Sequence, residues 1–383
     1  MAEVQPQQET LPSTVDTVAA SVLVVYAAGE QRVITGSAAL VKAAIDNPAL
    51  APSLYGRLRA LASEVANQVM GRVVDLASRA ADVASRNGNA SAAREIRALE
   101  RRAENFTASP ASEMLPHNVT ASAAMAQDLA FRLGAAAQRI TRYADDAYRA
   151  ATTGGALVQI NPALDVIHGV LSRATPAEAQ AQAWRELTAK GITGFTDSAG
   201  REWNLASYVE MAVRTATQRA YNASHRERLT LAGINYFTIS TTGRPCPLCA
   251  PWEGKVLADT PGEVTEDGHT FTVAATIEEA TAAGLFHPNC KHTLTAYQPG
   301  FTVLKPNQWT ALDEQNYKNT QRLRALEREV RRAKQVQAAA LNDTQHARAG
   351  RDVRAAQAAV RDHITQTGLM RRPRREQLNL GNN

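Results

Sequence analysis

Arg244-Pro245-Cys246-Pro247-Leu248-Cys249-Ala250-Pro251-Trp252-Glu253-Gly254-Lys255-Val256 and, further on, His287-Pro288-Asn289-Cys290-Lys291-His292 hold all three cysteines of this 383-residue chain. Thiolate and imidazole are the donors Zn2+ prefers, and four of them in a tetrahedron make a closed structural site. The two-residue gap of Cys246-x2-Cys249 lets both side chains turn toward one ion, and His287-x2-Cys290 repeats that gap. Cys246, Cys249 and Cys290 are therefore candidate ligands, with one histidine to complete the four. His287 comes first because of its spacing to Cys290, and His292 stands close behind. The 37 residues between the two pairs are more than a compact finger uses, so a folded insertion is expected there. The competing reading is a set of buried thiols beside surface histidines. A Cys246–Cys249 disulfide is not expected, since nothing marks the chain as secreted.

Around this stretch, from about Gly191 to Pro299, the sequence changes period. Phe195 to Trp203 reads as two short strands about a Ser198-Ala199-Gly200 turn. Asn204 is placed to cap a helix from Leu205 to about Ala232, with Tyr208, Met211, Ala212 and Thr215 on one face and Gly233 as its stop. Tyr236 to Ser240 alternates like a half-buried strand, and Lys255–Leu257 and His269–Val273 are further strand candidates. A short helix opening at Thr276, with Glu278 and Glu279 in its first turn, leads through Gly284 to the second knuckle. The core of such a region is thin, and a metal would staple it.

On either side the pattern is helical. Leu58, Leu61, Val65 and Val69 recur at three- and four-residue steps, as do Val73, Leu76 and Ala80, and again Leu129, Leu133, Ala137 and Ile140. Breaks are expected at Gly29, Asn47-Pro48, Asn87-Gly88-Asn89, Ser109-Pro110, Gly154-Gly155 and Asn161-Pro162. Thr175-Pro176 opens a helix through Trp184. No His, Asp, Glu or Ser cluster with catalytic spacing stands out in this half, and His117 and His168 read as structural. Beyond Gly300, Leu323, Leu326 and Val330 lie on one helical face and Val353, Ala356 and Val360 on another, which predicts a helical hairpin. The fold class is α+β, mainly α. It comprises a helical scaffold over 1–190, a zinc-stapled α+β domain over 191–300, and basic C-terminal helices with a flexible tail over 301–383.

Composition agrees with helices packed through small side chains, since hydrophobic residues make up 44% of the chain and aromatic residues only 5%. The first residues are polar and lack a basic n-region, so no secretory signal is expected. The apolar run Val18–Ala28 is shorter than the roughly 20 residues of a membrane span, so no membrane partner is expected. The net charge of +5 is unevenly spread. Residues 301–383 carry 16 Lys+Arg against 8 Asp+Glu, and the remainder 26 against 29. Arg371, Arg372, Arg374 and Arg375 near the end are candidates for contact with DNA phosphates or an acidic partner, without sequence specificity. No apolar periodicity marks residues 369–383, so their deletion is expected to leave the fold intact.

The Arg244–Val256 and His287–His292 segments resemble the core of the phage minor capsid protein 2 family and, more distantly, the Mu-type head-morphogenesis proteins. Gly200–Tyr208, Val213-Arg214-Thr215 and Gly233-Ile234-Asn235 occur in the order that family uses, and Tyr317 with Arg322–Arg332 resembles its C-terminal helices. The resemblance covers roughly residues 160–375. Many members carry a histidine where this chain has Cys249 and lack counterparts of Cys246 and His287. The resemblance implies a virion component present in few copies and made in the host cytoplasm. Its implied partners are the portal or the major capsid protein, and it would not be an enzyme. Two alternatives stay open. The family is distantly similar to ADP-ribosyltransferase folds, for which Arg214, Ser240-Thr241-Thr242 and Glu278 or Glu279 fall in a suitable order. A zinc-dependent nucleic-acid binder is the other.

Overall fold

The computed structural model describes residues 10–102, 106–112, 119–153, 176–196, 202–242, 245–305 and 309–379. His117, His168, the Gly154-Gly155 and Asn161-Pro162 breaks and the Ser198-Ala199-Gly200 turn lie outside them. Helix dominates, with one small mixed sheet, which is the mainly α, α+β class. The helices are α1 (Thr10–Asp46), α2 (Leu54–Met70), α3 (Val73–Glu100), α4 (Val119–Thr152), α5 (Pro176–Lys190), α6 (Leu205–Leu231), α7 (Ile277–Ala282), α8 (Ala311–Ala338) and α9 (Asp343–Thr367). The strands are β1 (Phe195–Thr196), β2 (Glu202–Trp203), β3 (Phe237–Ile239), β4 (Val256–Ala258), β5 (Gly262–Glu266), β6 (His269–Thr276) and β7 (Leu294–Ala296). By compactness the chain forms two units. One gathers Met1–Ala20, Val74–Phe131 and Glu210–Lys318; the other gathers Ser21–Val73, Arg132–Val209 and Asn319–Asn383.

The first unit holds a five-stranded sheet in the order β5-β6-β4-β3-β7, antiparallel except for the parallel pair β4 and β6. β5 and β6 form a hairpin about Asp267-Gly268, both at positive φ (51° and 76°). That is the backbone an Asp-Gly pair accepts and most residues resist. Every residue of β3 and β4 is buried. Phe237, Ile239 and Leu257 pack with Leu229 of α6, Ala92 and Ile96 of α3, and Cys249 and Cys290. α6 starts as its sequence dictates, with the Ser207 N–H donating to Asn204 Oδ1 at 2.9 Å, and stops before Gly233 at φ 91°. Thr276 and Glu279 form a reciprocal capping box that opens α7.

Two glycines expected to break helices do not. α1 passes through Gly29 and α3 through Gly88. At Gly88 a Cβ would fall inside contact distance of the Tyr221 backbone carbonyl. The glycine thus marks a close helix–helix approach, where its smallness outweighs its low helix propensity.

The second unit is built from helices and the β1–β2 pair, which is antiparallel as expected. Leu58, Val65, Val69, Leu129, Leu133, Ala137 and Ile140 are buried, as their spacing requires; Leu129 belongs to the first unit's share of α4. Tyr26 donates to the Leu133 carbonyl at 2.7 Å and the Trp184 indole to the Ala339 carbonyl at 2.8 Å. The apolar run at the start of α1 extends further than Val18–Ala28. The helix from Thr17 to Asp46 is long and apolar enough to cross a membrane by length and composition. Its Val22, Tyr26, Val33, Ile34 and Val41 are nonetheless buried against protein, as in a core helix. α8 and α9 form the expected hairpin through Leu323, Leu326, Val330 and Val360.

The segment after α9, expected to be a flexible tail, packs on the hairpin from Leu369 to Gln377. Leu369, 8% exposed, completes the hairpin's apolar cluster. A short 3-10 turn, Pro373–Glu376, then carries Glu376 into burial at 2% exposure. Arg371 clasps that carboxylate with two bonds of 2.7 and 2.8 Å, and Lys334 reaches Gln377 at 2.8 Å. Sequence periodicity cannot report such a segment, because one leucine and one buried carboxylate hold it.

Candidate metal centre

The two knuckles share a backbone form. The Cys249 N–H donates to the Cys246 carbonyl at 3.1 Å, and the Cys290 N–H to the His287 carbonyl at 2.9 Å. Each x2 gap is thus closed into a turn with its two side chains on one side. Asn289 supplies a left-handed residue (φ 66°) to the second turn, a conformation asparagine tolerates. Beside the first turn Gly254 stands at φ 75°, and the Lys255 ammonium lies 5.5 Å from the centre of the Trp252 ring. The connection between the knuckles is folded, as expected, into β4, β5, β6 and α7.

These turns bring all five expected residues together. Their donor atoms fall into two groups of three that share Cys249: Cys246, Cys249 and His287, and Cys249, Cys290 and His292. Within each group the atoms lie within 4.8 Å of one another. Cys249 Sγ is 3.5 Å from Cys290 Sγ, Cys290 Sγ is 3.5 Å from His292 Nδ1, and Cys246 Sγ is 2.9 Å from His287 Nε2. Cys249 is fully buried, His292 is 2% exposed and Cys246 is partly exposed. Cys249 and Cys290 lie in the apolar cluster of the sheet, so an ion there would tie the two ends of the insertion together beside β3 and β7.

The three thiols differ in how readily each loses its proton. Hydrogen bonding from Cys249, reinforced by His287, holds the Cys246 thiol well below its ordinary range. Cys249 and His292 do the same for Cys290. Cys249, as the shared donor between these two sulfurs, is pushed up. Burial opposes protonation of His292, but Cys290 and Glu253 beside it raise it to about 9. Three sulfurs and two imidazoles packed at these distances could hold a metal ion.

The sequence reading missed the residues behind the ligands. Glu253 Oε1 lies 2.7 Å from His292 Nε2, with both side chains buried, and also accepts from the Thr242 N–H at 3.1 Å. Gln218 of α6 donates to the His292 carbonyl and Asn222 accepts from the Leu294 N–H at 3.3 Å. Glu253 lies in a Trp-Glu-Gly turn that resembles solvent-facing sequence. The spacing of Gln218 and Asn222 on α6, four apart, is the one signal that puts them on a common face.

The remaining candidates have local partners. Arg214 pairs with Glu210 at 3.0 Å, one turn earlier in α6. Ser240 accepts from the Thr293 N–H at 3.0 Å, Glu278 pairs with Arg226 at 3.2 Å, and Glu279 is spent in the α7 capping box. In the other unit, Arg371 is committed to Glu376, and Arg375 pairs with the buried Glu327 at 3.7 Å. Arg372 and Arg374 are exposed.

Among known proteins, the family model for phage minor capsid protein 2 matches residues 12–365, nearly the whole chain. No curated protein and no solved structure matches it.

Proposed function

Since the chain belongs to the phage minor capsid protein 2 family, we propose that it is a structural component of the phage head, bound to the portal or the major capsid protein and stapled by one zinc ion. The observation that carries this reading is the match from residue 12 to residue 365. It takes in the helical regions as well as the Cys/His module, so the scaffold and the module act as one protein. Zinc is held by Cys246, Cys249, Cys290 and one histidine, and supplies a closed cross-link without an open position for chemistry. The local roles of Arg214, Ser240, Glu278 and Glu279 support a protein that is not an enzyme over one with ADP-ribosyltransferase activity. Contact with packaged DNA or an acidic partner falls to the exposed Arg372 and Arg374, and acts by charge without base preference. A nucleic-acid reader built on the zinc module is disfavoured, because its knuckles carry few basic or aromatic side chains to meet bases.

The test is protein mass spectrometry of purified particles, together with elemental analysis of the isolated chain. The expected results are a minor band in the head, far below the major shell protein in copy number, and one zinc per chain. Absence from particles would remove the capsid reading, and absence of metal from protein purified without chelator would remove the zinc.

A further inference from the structure

Five donors lie in two triads joined through Cys249, and a tetrahedral ion takes four, so one of them stands outside the ligand set. The distances separate them. Bond lengths of about 2.3 Å to sulfur and 2.0–2.1 Å to nitrogen give tetrahedral edges of about 3.8 Å between two sulfurs and about 3.6 Å between sulfur and nitrogen. Cys249–Cys290 at 3.5 Å and Cys290–His292 at 3.5 Å are already close to those edges. Cys246–His287 at 2.9 Å is a hydrogen-bond distance, too short for two neighbouring corners. Only one of that pair ligates without the turns moving apart.

The histidines also differ in what stands behind them. His292 is 2% exposed, and its far nitrogen, Nε2, meets a carboxylate that is itself buried at 4%. That carboxylate is fixed in turn by the Thr242 N–H, and the His292 carbonyl by Gln218. A ligating histidine characteristically gives its second N–H to such a partner, which sets the tautomer and ring orientation. With Nε2–H donated to Glu253, the ring nitrogen left for an ion is Nδ1, the atom that faces Cys290. His287 also has such a partner, the carbonyl of its own neighbour Pro288 at 2.8 Å from Nδ1, but its ring is only partly buried and its contact is local to its own turn.

We propose that His292 is the histidine ligand, through Nδ1, and that Glu253 is its positioning residue. Cys246, Cys249 and Cys290 complete the set, and His287 lies outside it as a hydrogen-bonding neighbour of Cys246. This rests on the zinc reading above and deepens it. Glu253 fixes the orientation of one of the two histidines by engaging its Nε2, so that Nδ1 is the ring nitrogen turned toward the cluster.

The ring nitrogen itself supplies the test, since His292 faces the cluster through Nδ1 and His287 through Nε2. The full-length chain, labelled with 15N at histidine and loaded with 113Cd in place of zinc, is expected to show scalar coupling from cadmium to a single Nδ1. Coupling to an Nε2, alone or in addition, overturns the assignment while leaving the metal reading standing. Failure of the unaltered chain to take up zinc or cadmium takes down both. Glu253→Gln keeps an acceptor but loses the charge. It is expected to shift the Nε2 resonance of the coupled histidine and weaken zinc binding about tenfold, at an unchanged one ion per chain. Zinc affinity within twofold of the unaltered protein, with that resonance unmoved, overturns the positioning role.

Discussion

The Glu30 carboxylate accepts a hydrogen bond from the Ile192 backbone N–H at 2.9 Å, tying two segments 162 residues apart within one compact unit. Glu30 is only 8% exposed. Burial pushes it up to about 7, against the Ile192 hydrogen bond and the attraction of Arg331. An exposed glutamate titrates near 4.3. Between these values the folded state holds a proton that the unfolded chain has lost. The stability contribution is therefore fully present below about pH 4 and lost as pH rises through 7, by about 3 kcal/mol. Glu30→Gln keeps the acceptor for Ile192 and abolishes the titration. It is expected to be more stable than the unaltered protein at pH 8 by up to about 3 kcal/mol, with the gain shrinking toward pH 5. Urea denaturation at the two pH values measures this, and an equal gain at both would sink the idea.

Gly88 gives a sharper contrast between local and tertiary demands. Replacing an interior helical glycine by alanine ordinarily stabilises a helix by about 1 kcal/mol. Here the added methyl meets the Tyr221 backbone, which cannot rotate away as a side chain could. Gly88→Ala is expected to destabilise by about 1–3 kcal/mol, read as a lower midpoint in chemical denaturation. A raised midpoint would show that α3 and α6 have room to separate.

What the sequence made legible were features with a period or a cap. The buried stripe on α2, the Asn204 cap, the α8–α9 seam and the strands rich in aromatic or β-branched residues all emerged where expected. β5 did not, because Gly262–Glu266 is an edge strand with polar, mostly exposed side chains and so has no apolar alternation. β7 is three residues long and follows directly on the second knuckle. The five Cys/His donors were legible from spacing, which the turns at Cys246 and His287 convert into proximity. Glu253 was not, because a buried carboxylate in a turn has no local signature; only the fold brings it against His292.

The C-terminal segment illustrates the same limit and yields a measurable consequence. Leu369 packs on Leu323, Leu326, Val330 and Val360, and Glu376 is buried beneath Arg371. Leu369→Ala is expected to cost about 2 kcal/mol, and removal of residues 369–383 more, since Glu327 then loses Arg375. Thermal melts of the two variants against the full chain decide it. Unchanged melting would return the segment to the status of a loose tail.

The exposed arginines separate charge from folding. Arg372→Ser with Arg374→Ser removes two exposed cations without touching Arg371 or Arg375, which are bonded to Glu376 and Glu327. The double variant is expected to melt with the unaltered protein but to bind duplex DNA or an acidic head protein more weakly at low salt. The difference should fade as salt rises, because each lost phosphate contact lowers the salt slope by about one. Equal binding at low salt would clear these residues of that role.

The cysteines provide the most direct test of what holds the sheet together. Cys249 belongs to both donor groups and lies in the same apolar cluster as Phe237, Leu257 and Leu294. A double change, Cys246→Ser with Cys249→Ser, removes two thiolates while leaving side chains of nearly the same size. Lost packing is therefore small, and any large effect reports the ion. Metal uptake is expected to vanish, and amide hydrogens in β3, β4 and β6 to exchange at least ~100-fold faster, since the binding free energy of a structural zinc is folding free energy. Amides of α5, α8 and α9, which are held by Trp184, Arg185–Asp352 and the Leu323–Val360 seam, are expected to keep their protection. A chelator added to the unaltered chain should reproduce the same regional pattern. Should exchange rise equally everywhere, the metal would be holding more than its own sheet; should it rise nowhere, the apolar cluster alone would suffice and the thiolates would not be holding the fold.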